Sequence, residues 1–206
     1  VTQNDLKEFH KQFILNGLDR VVVVGDIPQD QIEYIATKSS EIASTSKAEF
    51  AESLENRVGS SHIEKEGALQ SAIRVGRTLF NKNHPDYLDF LVLNTILGDY
   101  FGSRLMSNIR EDKGYTYGIG SMVAEFNQTG YFLIGTEVGT DVREDALNEI
   151  SKELERLRNE LVSEEELGLV RNYMRGQLLK SADGPYAMTD LYLSAILQGK
   201  DLEFYN

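Results

Sequence analysis

The sequence predicts an α+β fold, a two-layer sandwich in which a mainly antiparallel sheet carries helices on one face. Three observations predict it. Candidate strands gather into two hairpins, one around Gly67 and one around Asn127-Gln128-Thr129, rather than alternating singly with helices. A pair of helices separates the hairpins, and three helices follow the second. The longest of these steps through Leu147, Ile150, Leu154, Leu157 and Leu161, a single apolar stripe that needs one covered face.

The elements follow in chain order. Thr2 with Asp5, then Leu6, Phe9 and Phe13, reads as a capped amphipathic helix. Arg20 to Val24 holds four consecutive valines, which suits a strand buried on both faces. Pro28 opens a helix through Ile32, Ile35 and Ala36. Residues 39–56 are rich in Ser, Ala and Glu without a period and read as a linker. Arg57 to Glu66 and Leu69 to Val75 read as an antiparallel pair, with Leu69, Ser71, Ile73 and Val75 on one face. Pro85 opens a helix that Gly98 stops, and a shorter helix runs from Ser103 to Gly114. Tyr115 to Glu125 and Gly130 to Val138 form the second hairpin. Asp141 with Glu144 reads as a capping box for the long helix, and Ser163 with Glu166 as the cap of the next. Gly184-Pro185 breaks the chain before a last helix through Met188, Leu191 and Ala195. The domain organisation expected from this is a helix–strand–helix unit at 1–38, a linker at 39–56 and a main domain at 57–206. The chain starts Val1-Thr2-Gln3 without an initiator Met or a signal peptide and stops just after a helix, so it reads as a piece of a longer protein.

Composition narrows the chemistry. Of 206 residues 41% are hydrophobic, enough for a core. No apolar run is long enough to span a bilayer. The net charge of −12 repels phosphate backbones and anionic lipid, which argues against nucleic acid and membrane partners. With no cysteine there is no disulfide, thiolate nucleophile or cysteine-based zinc site, and the compartment stays open.

Several constellations bear on function. Gly25-Asp26 follows an apolar run, but neither a Gly-x-Gly-x-x-Gly turn nor a P-loop is present, so it reads as a strand-to-helix turn. His62, Glu64 and Glu66 share one face of a predicted strand; three such ligands suit a metal, and a solvated strand face is the plainer reading. Glu164-Glu165-Glu166 complements a helix dipole and reads as a helix start only. Glu137 and Asp141 are weak as an acid/base pair because Asp141 already has a capping role. The most informative segment is Leu97 to Ser121. Arg110 ends its helix, Gly114 lets the chain reverse, and Tyr117 follows seven residues after the arginine at the strand entry. A guanidinium fork and a phenol hydroxyl facing one cleft would hold peptide carbonyls or a developing oxyanion. On the residues alone, a purely structural role fits equally well.

This segment, with its Gly-rich turn, Ser103-Arg104-Leu105, Arg110 and Tyr117, resembles the second half of the insulinase and mitochondrial-processing-peptidase family of zinc metallopeptidases. Asp19 to Ile27 resembles the strand closing that family's preceding domain, Leu69 to Arg77 its first strand after the linker, and Ser163 to Leu179 with Leu191 to Phe204 its closing helices. The resemblance implies the family's metallohydrolase fold, shared with LuxS. The family's inverted His-x-x-Glu-His zinc motif is absent here, so the resemblance is to the non-zinc half. It implies a peptide or small-protein substrate, and zinc held by a missing half or a partner subunit. By that likeness Arg110 grips a substrate carbonyl, and Tyr117 bonds the substrate backbone or steadies the tetrahedral intermediate at the metal. The alternative is a non-catalytic interaction or assembly subunit of the same fold. The family closes each half with an apolar strand, and this chain stops before its second one. Residues 20–24 are therefore expected to fill that place in the sheet, within one molecule or by exchange in a homodimer.

Overall fold

A computed structural model describes residues 1–15, 18, 20–42, 58–126, 129–197, 199, 200 and 203. Its elements are α1 (Gln3–Phe9) continuing into a π-helical turn (His10–Leu15), α2 (Gln29–Ser40), β1 (Gln70–Leu79), α3 (Tyr87–Leu97), a π-helical segment (Met106–Asp112), β2 (Thr116–Glu125), β3 (Gly130–Gly139), a 3-10 turn (Thr140–Val142), α4 (Arg143–Asn159), α5 (Glu164–Ser181) and α6 (Pro185–Leu197). Two compact units form: Val1–Glu52 with Leu179–Asn206, and Ser53–Leu178. No described helix is long and apolar enough to cross a membrane.

The larger unit has the expected α+β character. Its sheet is antiparallel with strand order β1-β3-β2. Alternation along the strands sends Ile73, Ile119, Ile134 and Val138 to one face, where they pack with Leu97, Leu105, Ile109, Ala146 and Ile150 from the helical layer. Leu147, Leu154 and Leu157 pack against this core, as the stripe on α4 requires, whereas Leu161 lies beyond the helix end and is exposed. The opposite face of the sheet carries Arg74, Gly120, Met122, Leu133, Gly135 and Glu137, which the register sets side by side.

In the smaller unit Thr2 and Asp5 cap α1 reciprocally, and Pro28 precedes α2. Residues 20–24 form no strand, and Val21, Val22 and Val23 stay exposed. The strand expected at 20–24 is therefore not formed. A valine run prefers a pleated, half-buried surface and does not create one by itself.

Two other expectations are corrected. Residues 58–65 are irregular rather than a strand, and β1 pairs with β3 instead. The period of two in that segment has no apolar face behind it, since Val58 and Ile63 are both exposed, so nothing holds it against a core. Asp141 does not cap α4: it sits in the 3-10 turn, and the capping position falls to Val142, which makes no side-chain bond. Ser163 caps as expected, its hydroxyl accepting from Glu166 N at 3.2 Å. The linker expected at 39–56 lies mostly outside the described residues, as do Asn127 and Gln128 of the hairpin turn.

Candidate functional site

The site is built on the stretch from Gly98 to Ser121. Gly98 ends α3 where the chain runs closest to β2: its carbonyl accepts from Ser121 N at 3.1 Å, and a Cβ there would lie 2.6 Å from that nitrogen. The π-helical segment is held by Leu105 and Ile109, both fully buried. It ends with Lys113 N donating to Asn108 O and Tyr115 N to Ile109 O, both at 3.0 Å, around Gly114 at φ +65°. Two polar anchors fix the segment sideways. Asn108 Nδ2 donates to Glu153 on α4 at 2.7 Å and to Glu149 at 3.1 Å. Arg104, just before the segment, forms a bidentate pair with Glu166 on α5.

Tyr117 is aimed by a bulge. The register with β3 skips between Thr116 and Ile119, so Tyr117 and Gly118 together oppose Glu137. Hydroxyls pin this irregularity: Thr116 Oγ1 reaches Glu137 O at 2.7 Å and Gly118 O at 2.9 Å, and Thr136 Oγ1 lies 2.9 Å from both Thr116 Oγ1 and Gly118 O. The Tyr117 ring stands 95% exposed. Arg110 Nε donates to Tyr117 O at 2.9 Å, and its guanidinium carbon lies 4.7 Å from the Phe101 ring centre and 5.9 Å from that of Tyr117. Arg110 Nη1 is 3.8 Å from the Glu111 carboxylate.

Tyr117 also borders a shallow cleft of about 610 Å³ on the uncovered sheet face. Gly118, Gly120 and Gly135 leave its floor low, Met122 and Leu133 make it apolar, and Arg74 with Glu137 (3.5 Å) makes it polar. Arg110 does not line this cleft and adjoins it through Tyr117. Together the residues present hydrogen-bond donors beside an open, backbone-rich floor, an arrangement whose chemistry suits carbonyl oxygens.

The two residues singled out from sequence are therefore neighbours. His62, Glu64 and Glu66 are not brought onto one strand face, and the His62 ring lies 3.1 Å from Arg143 Nη1, a cation where a metal would stand. Among the described residues no three His, Asp or Glu side chains gather as a metal ion needs, so those residues do not fit a zinc ion. Sequence reasoning missed Phe101, the Asn108–Glu153 anchor and the tie between Arg104 and Glu166. Glu166 is more than a helix start: the Arg104 guanidinium holds its carboxyl below the usual carboxylate range.

The chain matches the family described as "Peptidase M16 inactive domain" over residues 1–174. The chain belongs to that family. M16 relatives of this chain include the "Probable inactive metalloprotease YmfF" of Bacillus subtilis (strain 168), 24% identical over 205 residues, which are 96% of this chain and 47% of that protein. The "Uncharacterized zinc protease YmxG" of the same organism is 27% identical over 119 residues, 58% of this chain and 29% of that protein. Among solved structures, the peptidase M16 inactive domain from Pseudomonas fluorescens superposes with a TM-score of 0.82 at 24% identity, over 99% of this chain and 49% of that one. A protease from Helicobacter pylori gives 0.74 at 17%, over 97% and 50%. The chain spans about half the length, or less, of the curated relatives it matches. It is thus an inactive M16 domain of zinc-protease-like proteins, and at these identities the structural likeness establishes the fold.

Proposed function

We propose that this chain is the substrate-clamping, C-terminal half of a two-halved zinc metalloendopeptidase, paired with a zinc-bearing half on the same polypeptide or on a partner subunit. On this reading residues 1–38 close the preceding half and 57–206 are the clamping domain. Arg110 donates to a peptide carbonyl, and the Tyr117 hydroxyl donates to the substrate backbone or to the oxyanion that forms on the attacked carbonyl. The observation that carries the reading is the Arg110–Tyr117 contact: Nε is committed to Tyr117 O, which sets the terminal nitrogens next to an exposed tyrosine that itself borders the cleft. The substrate is a peptide or small unfolded protein.

The test uses the complete zinc-bearing protein and a fluorescein-labelled, unfolded casein. Arg110→Ala and Tyr117→Phe should each lower turnover by about a hundredfold or more, as loss of an oxyanion-type donor does. Turnover within roughly threefold of the parent for both variants rejects the assigned roles. A second reading, a non-catalytic assembly subunit of this fold, draws on the name of the relative matched over 96% of this chain, a probable inactive metalloprotease. Casein left intact by a complete protein that also retains no zinc would favour it.

A further inference from the structure

We propose that Phe101 is a positioning residue for Arg110, holding the guanidinium plane beside Tyr117 and away from the neighbouring carboxylate. The inference rests on the clamping role given to Arg110 above and adds the device that keeps it available.

Phe101 is 63% exposed on the loop between Gly98 and Gly102, so its ring contributes little to the core. What it covers is a cation, with the Arg110 guanidinium carbon 4.7 Å from the ring centre. The bond from Nε to Tyr117 O fixes one point of a rigid planar group but leaves the plane free to turn about it. Turning matters here because Glu111 follows directly in sequence, and its Oε1 lies 3.8 Å from Nη1. At that distance the pair is open; a modest rotation would close it and occupy the terminal donors that a substrate carbonyl needs. An aromatic face against the guanidinium opposes the rotation without competing for its hydrogen bonds, because ring attraction uses the π surface and not the N–H groups. A carboxylate or amide at position 101 would hold the charge but consume its donors.

The experiment has two arms. In the 206-residue chain, the Arg110 Nε–Hε resonance, assigned by its loss in Arg110→Lys, should carry the ring-current shift of Phe101. Phe101→Leu should remove that shift and Phe101→Tyr should keep it, with the melting temperature unchanged in both. In the complete protein, binding of fluorescein-labelled unfolded casein is followed by anisotropy with a chelator present, so that no hydrolysis is needed. Phe101→Leu should weaken binding about tenfold, Phe101→Tyr should stay within about twofold, and Phe101→Leu combined with Glu111→Gln should recover most of the loss. The recovery is the outcome that a merely structural role would not give. An unmoved Arg110 resonance in Phe101→Leu overturns the inference. So does unchanged casein binding in Phe101→Leu while Arg110→Ala binds poorly, a result that leaves the clamping role standing. If Arg110→Ala itself binds casein like the parent, or the parent does not bind it, the clamping role falls first and the inference with it.

Discussion

Arg104 and Glu166, 62 residues apart, meet through two 2.8 Å hydrogen bonds, Nε to Oε1 and Nη2 to Oε2. The arginine side chain is 9% exposed and the glutamate 28%. The third nitrogen, Nη1, is buried with no hydrogen-bond partner among the described residues, so the pair carries nearly all of this guanidinium's compensation. Replacing Glu166 with Gln should cost about 1–3 kcal/mol, because a nearly buried guanidinium loses a charged hydrogen-bond partner. The cost should depend on pH in one direction. Glu166 titrates lower folded than unfolded, so its stabilisation is complete above the unfolded value, near pH 4.3, and disappears as pH falls through the folded one. Urea midpoints of parent and Glu166→Gln should therefore differ by a constant amount from neutral pH to about pH 5 and converge as pH falls through the lowered folded value of Glu166.

Glu153 is 2% exposed and is held by Asn108 Nδ2 at 2.7 Å and Arg156 Nη1 at 2.9 Å. Asn108→Leu should destabilise the fold by about 1–3 kcal/mol, since it strips a donor from a buried carboxylate. Adding Glu153→Leu should return part of that loss, because an apolar pair no longer needs the donor. Thermal unfolding of the two single variants and the double variant closes the cycle. Strictly additive losses would show that the contact contributes nothing of its own.

Two glycines 20 residues apart should respond differently. A Cβ on Gly98 would lie 2.6 Å from Ser121 N and from its hydroxyl, so Gly98→Ala should destabilise by about 2 kcal/mol or more. A Cβ on Gly118 would meet nothing within 4 Å, and its φ is not positive. Gly118→Val should leave the melting temperature unchanged or slightly raised while narrowing the cleft that Gly118 lines. In the complete protein it should weaken casein binding several-fold. Normal binding by a normally folded Gly118→Val would mean that peptide does not use this floor.

The bulge at Tyr117 offers a further check. Thr116→Val removes the hydroxyl that reaches Glu137 O and Gly118 O, and should cost about 1–2 kcal/mol. It should also lower casein affinity by more than its effect on stability explains, because the residue re-aimed by the irregularity is Tyr117. Hydrogen exchange at Gly118 and Ile119 would report the loosening directly.

The helices were legible because their ends are chemically marked. Thr2, Pro28, Ser163 and Gly98 each stand at a helix boundary of the structure. Strands were less so. The valines at 21–24 have strong strand propensity yet form none, since pairing depends on a neighbour that local sequence does not specify. The Arg110–Tyr117 contact was legible for the opposite reason: only seven residues and one glycine turn separate its members, so local geometry nearly determines it. Arg104 with Glu166 and Asn108 with Glu153 join distant segments, and no periodicity says which of many charged residues will meet. Phe101 was hidden differently. Aromatic residues ordinarily signal a core, and this one faces solvent over a cation.

In the strand order β1-β3-β2, the outer rim of β2 has no neighbouring strand among the described residues, yet Tyr117 O already accepts from Arg110 and Ser121 N already donates to Gly98. A stray strand arriving at that rim would find two of its docking points taken, which opposes edge-to-edge pairing there. On the clamping role proposed above, the same two bonds would leave a polypeptide at this margin held more by side chains than by continuous main-chain pairing, which would favour release over trapping.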